Sequence, residues 1–166
     1  ADIDPRHAGV EFWGSGTTGG LYSASNCEAN DEKGPRGRAI SARKPGPINF
    51  AIWWDGDLVR ELLDGTTISK WDWEAEQTRP LFAPAGLASN NGTKATPALS
   101  GDLFGDWREE VIWRTADNSE LRVYTTAIPT EHRRVTLMHD RQYRLAIAWQ
   151  NVAYNQPPHP SFAMLP

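Results

Sequence analysis

The chain has 166 residues, 39% of them hydrophobic, which suffices for a packed core, and no apolar run approaches the about 18 residues that span a bilayer. Its 17 basic and 21 acidic side chains are interspersed and sum to a net charge of -4, which argues against nucleic acid as a partner but not against a local basic cleft. The lone cysteine, Cys27, excludes an intramolecular disulfide and a cysteine-rich metal site.

From the N-terminus, Ala1-Asp2-Ile3-Asp4-Pro5 lacks the basic and apolar stretches of a signal peptide, so none is expected. Short runs rich in aromatic and aliphatic residues, bounded by turn formers, predict strands at 10–13, 20–24, 49–54, 58–63, 66–73, 98–104, 110–114, 121–126 and 133–138. The segment from Cys27 to Pro47, rich in Gly, Pro, Arg and Lys, reads as a variable surface loop. Asp55-Gly56-Asp57 and Asp64-Gly65 offer positive φ for hairpin turns, and 116–119 forms a four-residue loop between strands. Residues 143–154 suit either element: Leu145, Ala148, Trp149 and Val152 recur at helical spacing, whereas Ile147 and the aromatics also fit a strand. A short helix stopped by Pro157-Pro158 is the preferred reading, and the fold class is all-β.

A weak repeat sets Asp2-Ile3-Asp4 and Glu11-Phe12-Trp13 against Asp102-Leu103-Phe104-Gly105-Asp106 and Glu110-Val111-Ile112-Trp113. Repeats of small antiparallel sheets are the mark of β-propeller blades, and eight tryptophans suit the wedge-shaped interfaces between blades. Most of them are expected in the core; the competing role is stacking on sugar rings. The strands amount to two or three blades, fewer than the about four to eight a propeller closes with, so the chain reads as a piece of a larger propeller across 1–166. Uncovered blade faces call for the missing blades or for self-association.

Residues 89–97, Ser89-Asn90-Asn91-Gly92-Thr93-Lys94-Ala95-Thr96-Pro97, gather amide, hydroxyl and ammonium donors in a stretch unsuited to a helix or a central strand. Asn91-Gly92 favours positive φ and a tight turn that lifts backbone N–H groups toward a ligand, with Lys94 beside it; a plain hairpin turn with a solvated lysine is the alternative. With 101–113 and 148–159, this loop resembles the C-terminal part of the bacterial rhamnogalacturonan lyases of polysaccharide lyase family 11. The resemblance runs from Asp2 through His159 and implies an eight-bladed propeller, a secreted enzyme, a pectic polysaccharide partner (rhamnogalacturonan I) and Ca²⁺. It also implies β-elimination at O4 of a galacturonate, with Lys94 as base and Asn91, Gly92, Thr93 and Tyr154 as sugar contacts.

Removing the C5 proton beside a carboxylate builds up negative charge, so cations must neutralise it, and a lysine acts as base only when neighbouring cations or burial depress its pKa. Arg6 is the candidate second cation, because arginine grips carboxylates bidentately. Asp2, Asp4 and Glu11, and Asp102, Asp106 and Glu110, supply hard oxygens of the kind Ca²⁺ takes; the alternative is that these residues form turns by accepting from local backbone N–H groups. His139 and His159 read as structural hydrogen-bonders. A non-catalytic propeller fragment or carbohydrate-binding module for pectic oligosaccharides is the competing function.

Overall fold

The computed structural model describes residues 1–7, 9–16, 19–28, 36–92, 94–152 and 155–164, with the backbone alone at 25–28 and 36–38. The described residues form three antiparallel sheets and one short helix. The first sheet orders β1 (Glu11–Phe12), β2 (Leu21–Glu28) and β3 (Arg36–Ser41) side by side. The second is a meander of β4 (Phe50–Ile52), β5 (Glu61–Asp64), β6 (Thr67–Asp72) and β7 (Gln77–Phe82). In the third, β10 (Glu110–Thr115) pairs with β11 (Leu121–Tyr124), β9 (Leu99–Gly101) and β8 (Leu87–Ala88). A 3₁₀ turn, Leu137–His139, leads into α1, Arg141–Trp149. Among the described residues no helix is long and apolar enough to cross a membrane.

Strand alternation sets the cores. Adjacent side chains of a strand point to opposite faces, so Leu63 joins Phe50, Ile52, Trp54, Ile68, Val111 and Trp113 between the second and third sheets. Its neighbour Leu62 joins Ile3, Leu21 and Trp71 between the first and second. A third cluster, with Trp53, Leu58, Trp107, Leu137 and Tyr143, seats α1. Trp53, Trp54, Trp71, Trp107 and Trp113 are buried, as expected of core residues, whereas Trp149 is exposed. The all-β class holds and a short helix forms, but it runs Arg141–Trp149 and ends at the Gln150 cap, before the prolines, so Pro157-Pro158 do not stop it.

Four expectations are corrected. Residues 133–138 form no strand: Arg133, Arg134 and Val135 are exposed, and the Thr136 hydroxyl accepts from Met138 N to start the 3₁₀ turn. The loop read at 27–47 contains β3, and β7 and β8 went unpredicted. Gly65 has the positive φ expected of it, at 58°, but Gly56 does not; a Cβ there would lie 2.5 Å from the Pro129 carbonyl oxygen, so close approach is what requires glycine. In the loop at 89–97, neither Asn91 nor Gly92 carries the left-handed backbone, which falls instead on Ala95 at φ 46°.

A buried ionic cluster joins the sheets to the helix. Glu109, fully buried, accepts through Oε2 from Trp53 N (2.9 Å) and from Arg60 Nη2 (3.2 Å), and through Oε1 from the Tyr143 hydroxyl (2.5 Å). Arg60 also donates to the Ala51 carbonyl (2.8 Å) and lies 4.2 Å above the Trp53 ring, while Asp102 N donates to the Tyr143 oxygen (2.9 Å).

Candidate functional site

The loop around Lys94 is anchored on three sides by backbone bonds. Asn90 N donates to the Thr96 carbonyl (2.8 Å), Ala95 N to the Asn91 carbonyl (2.6 Å), and Gly65 N at the β5–β6 turn to the Ala95 carbonyl (2.9 Å). Arg114 Nη2 on β10 holds the Ser89 carbonyl at 3.0 Å, and Lys94 N donates to Asn91 Oδ1 at 3.3 Å. Lys94 and Asn91 are half-buried and Gly92 is exposed, so the loop presents its polar groups at the surface of a fixed backbone. Thr93 and Tyr154 lie outside the described residues.

Arg6 grips Asp4, with Nε 2.9 Å from Oδ1 and Nη2 2.7 Å from Oδ2, which holds the Asp4 carboxyl below its ordinary range against the opposing effect of burial. It lines a cavity of about 690 Å³ with Asp2, His7, Asp57, Trp73 and His132. His139 and His159 are both exposed.

The acidic residues close turns, and there are three such turns where the sequence repeat shows two. Glu11 Oε2 accepts from Ile3 N (2.8 Å) and Asp4 N (3.2 Å). Glu110 Oε2 accepts from Leu103 N (2.8 Å) and Phe104 N (3.0 Å). Glu61 Oε2 repeats the pattern with Trp54 N (2.8 Å) and Asp55 N (3.2 Å). Asp102 accepts from Gly105 N, the Thr136 hydroxyl and Leu137 N. Each turn also carries a cation from the chain itself: Arg6 on Asp4, Arg108 on Asp106 (2.7 Å), and Lys70 from β6 on Asp55, Asp57 (2.5 Å) and Glu61 (3.2 Å).

This donor pattern tests the fit to Ca²⁺. Among the described residues, the carboxylates that bring three oxygens within 4.8 Å of one another are Asp55, Asp57 and Glu61, and all three hold the Lys70 ammonium. Asp2, Asp4 and Glu11, and Asp102, Asp106 and Glu110, do not converge in this way, so as arranged they do not fit a shared calcium ion. The Asp55–Glu61 turn escaped sequence reading because Asp55-Gly56-Asp57 resembles an ordinary hairpin turn. The available signal was Glu61 inside an apolar run, four residues after Asp57 just as Glu110 follows Asp106.

Lys70→Met leaves three carboxylates without their counter-ion. The expected loss of stability is about 2–3 kcal/mol, less than for a fully buried pair because Asp57 still meets solvent. Burial pushes Glu61 from its ordinary 4.5 up to about 8, with the Lys70 charge pulling against it. Removing that charge raises the Glu61 pKa further. A carboxyl whose folded pKa lies above its unfolded value contributes stability below the unfolded value and loses that contribution as pH rises through the folded one. The deficit of Lys70→Met is therefore expected to be larger at pH 9 than at pH 5; denaturant titrations at both pH values check this, and a pH-independent deficit contradicts it.

The all-β architecture with its repeated acid-closed turns defines a fold class and not by itself a chemistry. The profile of rhamnogalacturonan lyase family 11, C-terminal domain, matches residues 1–165, and the chain belongs to that family. It is 57% identical over 162 residues to the rhamnogalacturonan endolyase YesW of Bacillus subtilis, covering 98% of this chain and 24% of that protein. With the exolyase YesX of the same organism it shares 53% identity over 176 residues, covering 98% and 27%. The crystal structure of YesW superposes with a TM-score of 0.86 at 56% identity, covering 98% of this chain and 26% of that one, and the Bacillus licheniformis family 11 lyase gives 0.86 at 54%, covering 98% and 25%. The chain thus spans about a quarter of the length of these relatives.

Proposed function

We propose that this chain supplies part of the active cleft of a rhamnogalacturonan lyase, an enzyme that breaks the rhamnogalacturonan I backbone by β-elimination. The carrying observation is the near-complete match to the C-terminal domain of an endolyase and an exolyase alike. Lys94 is the base of this reading: its amine takes the C5 proton of a galacturonate, the electrons of that C–H bond form the C4–C5 double bond, and the C4–O4 bond breaks. This leaves a 4,5-unsaturated uronate, and the departing oxygen takes a proton from water. Asn91, Gly92, Thr93 and Tyr154 are the proposed sugar contacts. Arg6, committed to Asp4, is not assigned the second positive charge, and no step passes through calcium.

The three sheets are read as blades of a larger propeller, whose remaining blades cover their open faces and complete the cleft. Because the substrate is an extended cell-wall polymer, the complete enzyme acts outside the cell. The test compares the full-length enzyme with the isolated chain on rhamnogalacturonan I, following ultraviolet absorbance of the unsaturated product. Turnover is expected from the full-length enzyme and little or none from the chain alone. A full-length enzyme that binds the polymer without releasing unsaturated product would favour the carbohydrate-binding reading instead.

A further inference from the structure

One edge of β9 pairs with β10, and along its other edge side chains take the place of a strand. Gln150 Oε1 accepts from Ser100 N (2.8 Å) and its Nε2 donates to the Ser100 carbonyl (2.9 Å). Asn151 Nδ2 donates to the Ala98 carbonyl (2.7 Å). The Thr96 hydroxyl donates to Asn151 Oδ1 (3.2 Å), and Asn155 Nδ2 donates to the Thr96 hydroxyl oxygen (3.2 Å) and to Asn151 Oδ1 (3.3 Å). These bonds meet the backbone of Ser100, the carbonyl of Ala98 and the hydroxyl of Thr96 in turn, so they tie the chain after α1 to the run from Thr96 into β9. Thr96 and Ser100 are fully buried, and Gln150 and Asn155 nearly so.

The ladder ends two residues from Lys94. Between them Ala95 holds a left-handed backbone at φ 46°, a conformation an alanine keeps only when its surroundings fix it. The Asn91 carbonyl and Gly65 N hold Ala95 from one side, and the Thr96 rung fixes the next residue from the other. Asn155 itself is left-handed, at φ 48°, which aims its amide at Thr96.

We propose that the Thr96–Asn151–Asn155 hydroxyl and amide cluster is the positioning device of the candidate base, fixing the strained turn that delivers Lys94 to the sugar. This rests on the reading of Lys94 given above. The three residues are positioning residues; none is assigned a contact with substrate. Removing the hydroxyl leaves Asn155 and Asn151 bonded to each other, so the helix tail stays tied while the turn at Ala95 keeps its backbone bonds but loses its side-chain anchor.

In the full-length enzyme, Thr96→Val is expected to lower kcat about 10–100-fold, the scale of an ångström-sized misplacement, with KM within about threefold of wild type. Thr96→Ser, which restores the hydroxyl, is expected to recover most of that loss. If Thr96→Val does not fold, Asn155→Gly, which keeps the left-handed backbone and deletes the amide, carries the same expectation. Full kcat in the variant, or a loss that Ser does not recover, overturns the proposal. Lys94→Ala is assayed beside them. If that variant keeps its turnover, the base reading falls and the proposal with it; if it is inactive while Thr96→Val is fully active, the positioning role alone falls.

Discussion

Lys94→Ala in the full-length enzyme is expected to cut turnover on rhamnogalacturonan I by about 10²–10⁴-fold, the usual range for a positioned general base. The fold should survive, because the anchors of its loop are backbone bonds among Asn90, Asn91, Gly65, Ala95 and Thr96 that the lysine side chain does not make. Lys94→Arg separates two roles for the residue. Arginine keeps the positive charge but does not give up its proton, so a base must fail as arginine whereas a simple carboxylate-binding cation would survive. Initial rates of unsaturated product, paired with thermal midpoints, make the comparison. Near-normal rates in Lys94→Ala, or full activity in Lys94→Arg, would rule out the base.

The second large effect is on stability. Glu109→Ala is expected to cost about 3–5 kcal/mol, because it strands the buried Arg60 guanidinium rather than merely removing one contact. Trp53 N and the Tyr143 hydroxyl lose their acceptors in the same step. Burial raises the Glu109 carboxyl, while Arg60 and the Tyr143 hydroxyl act to lower it, so the carboxylate and its partners depend on each other. Replacing both charges, as in Glu109→Leu with Arg60→Met, should cost less than the single change, since no unpaired ion remains buried. Denaturant midpoints of the single and double variants decide this; additive losses would show that Glu109 and Arg60 are not coupled.

What the sequence disclosed follows from where the physical signal is local. The strands containing Ile52, Leu62 and Val111 carry apolar residues bounded by turns, whereas the end of α1 at Trp149 lies before the proline pair and is not set by it. β7 gave no such signal: Gln77-Thr78-Arg79-Pro80 is polar and contains a proline, which an edge strand tolerates and a central strand does not. Residues 133–138 misled in the opposite direction, because Val135 and Leu137 alternate as a strand would, yet Thr136 is bonded to Asp102 34 residues away. The candidate base was legible from its motif. Its surroundings were not, since Gln150, Asn151 and Asn155 meet partners fifty or more residues earlier in the chain, beyond the reach of any periodicity.

β5 is a wall shared by two cores, with Leu62 on one side and Leu63 on the other. A one-residue insertion within it would exchange the faces, turning Leu62 toward Trp113 and Leu63 toward Trp71, and would carry Gly65 out of reach of Ala95. Both cores and the lysine loop would fail together. Length variation among proteins that share this domain is therefore expected to avoid the four residues Glu61 to Asp64 and to fall on the connections between sheets. The strand acts as a ruler that sets the spacing between the turn at Asp55 and the loop at Lys94.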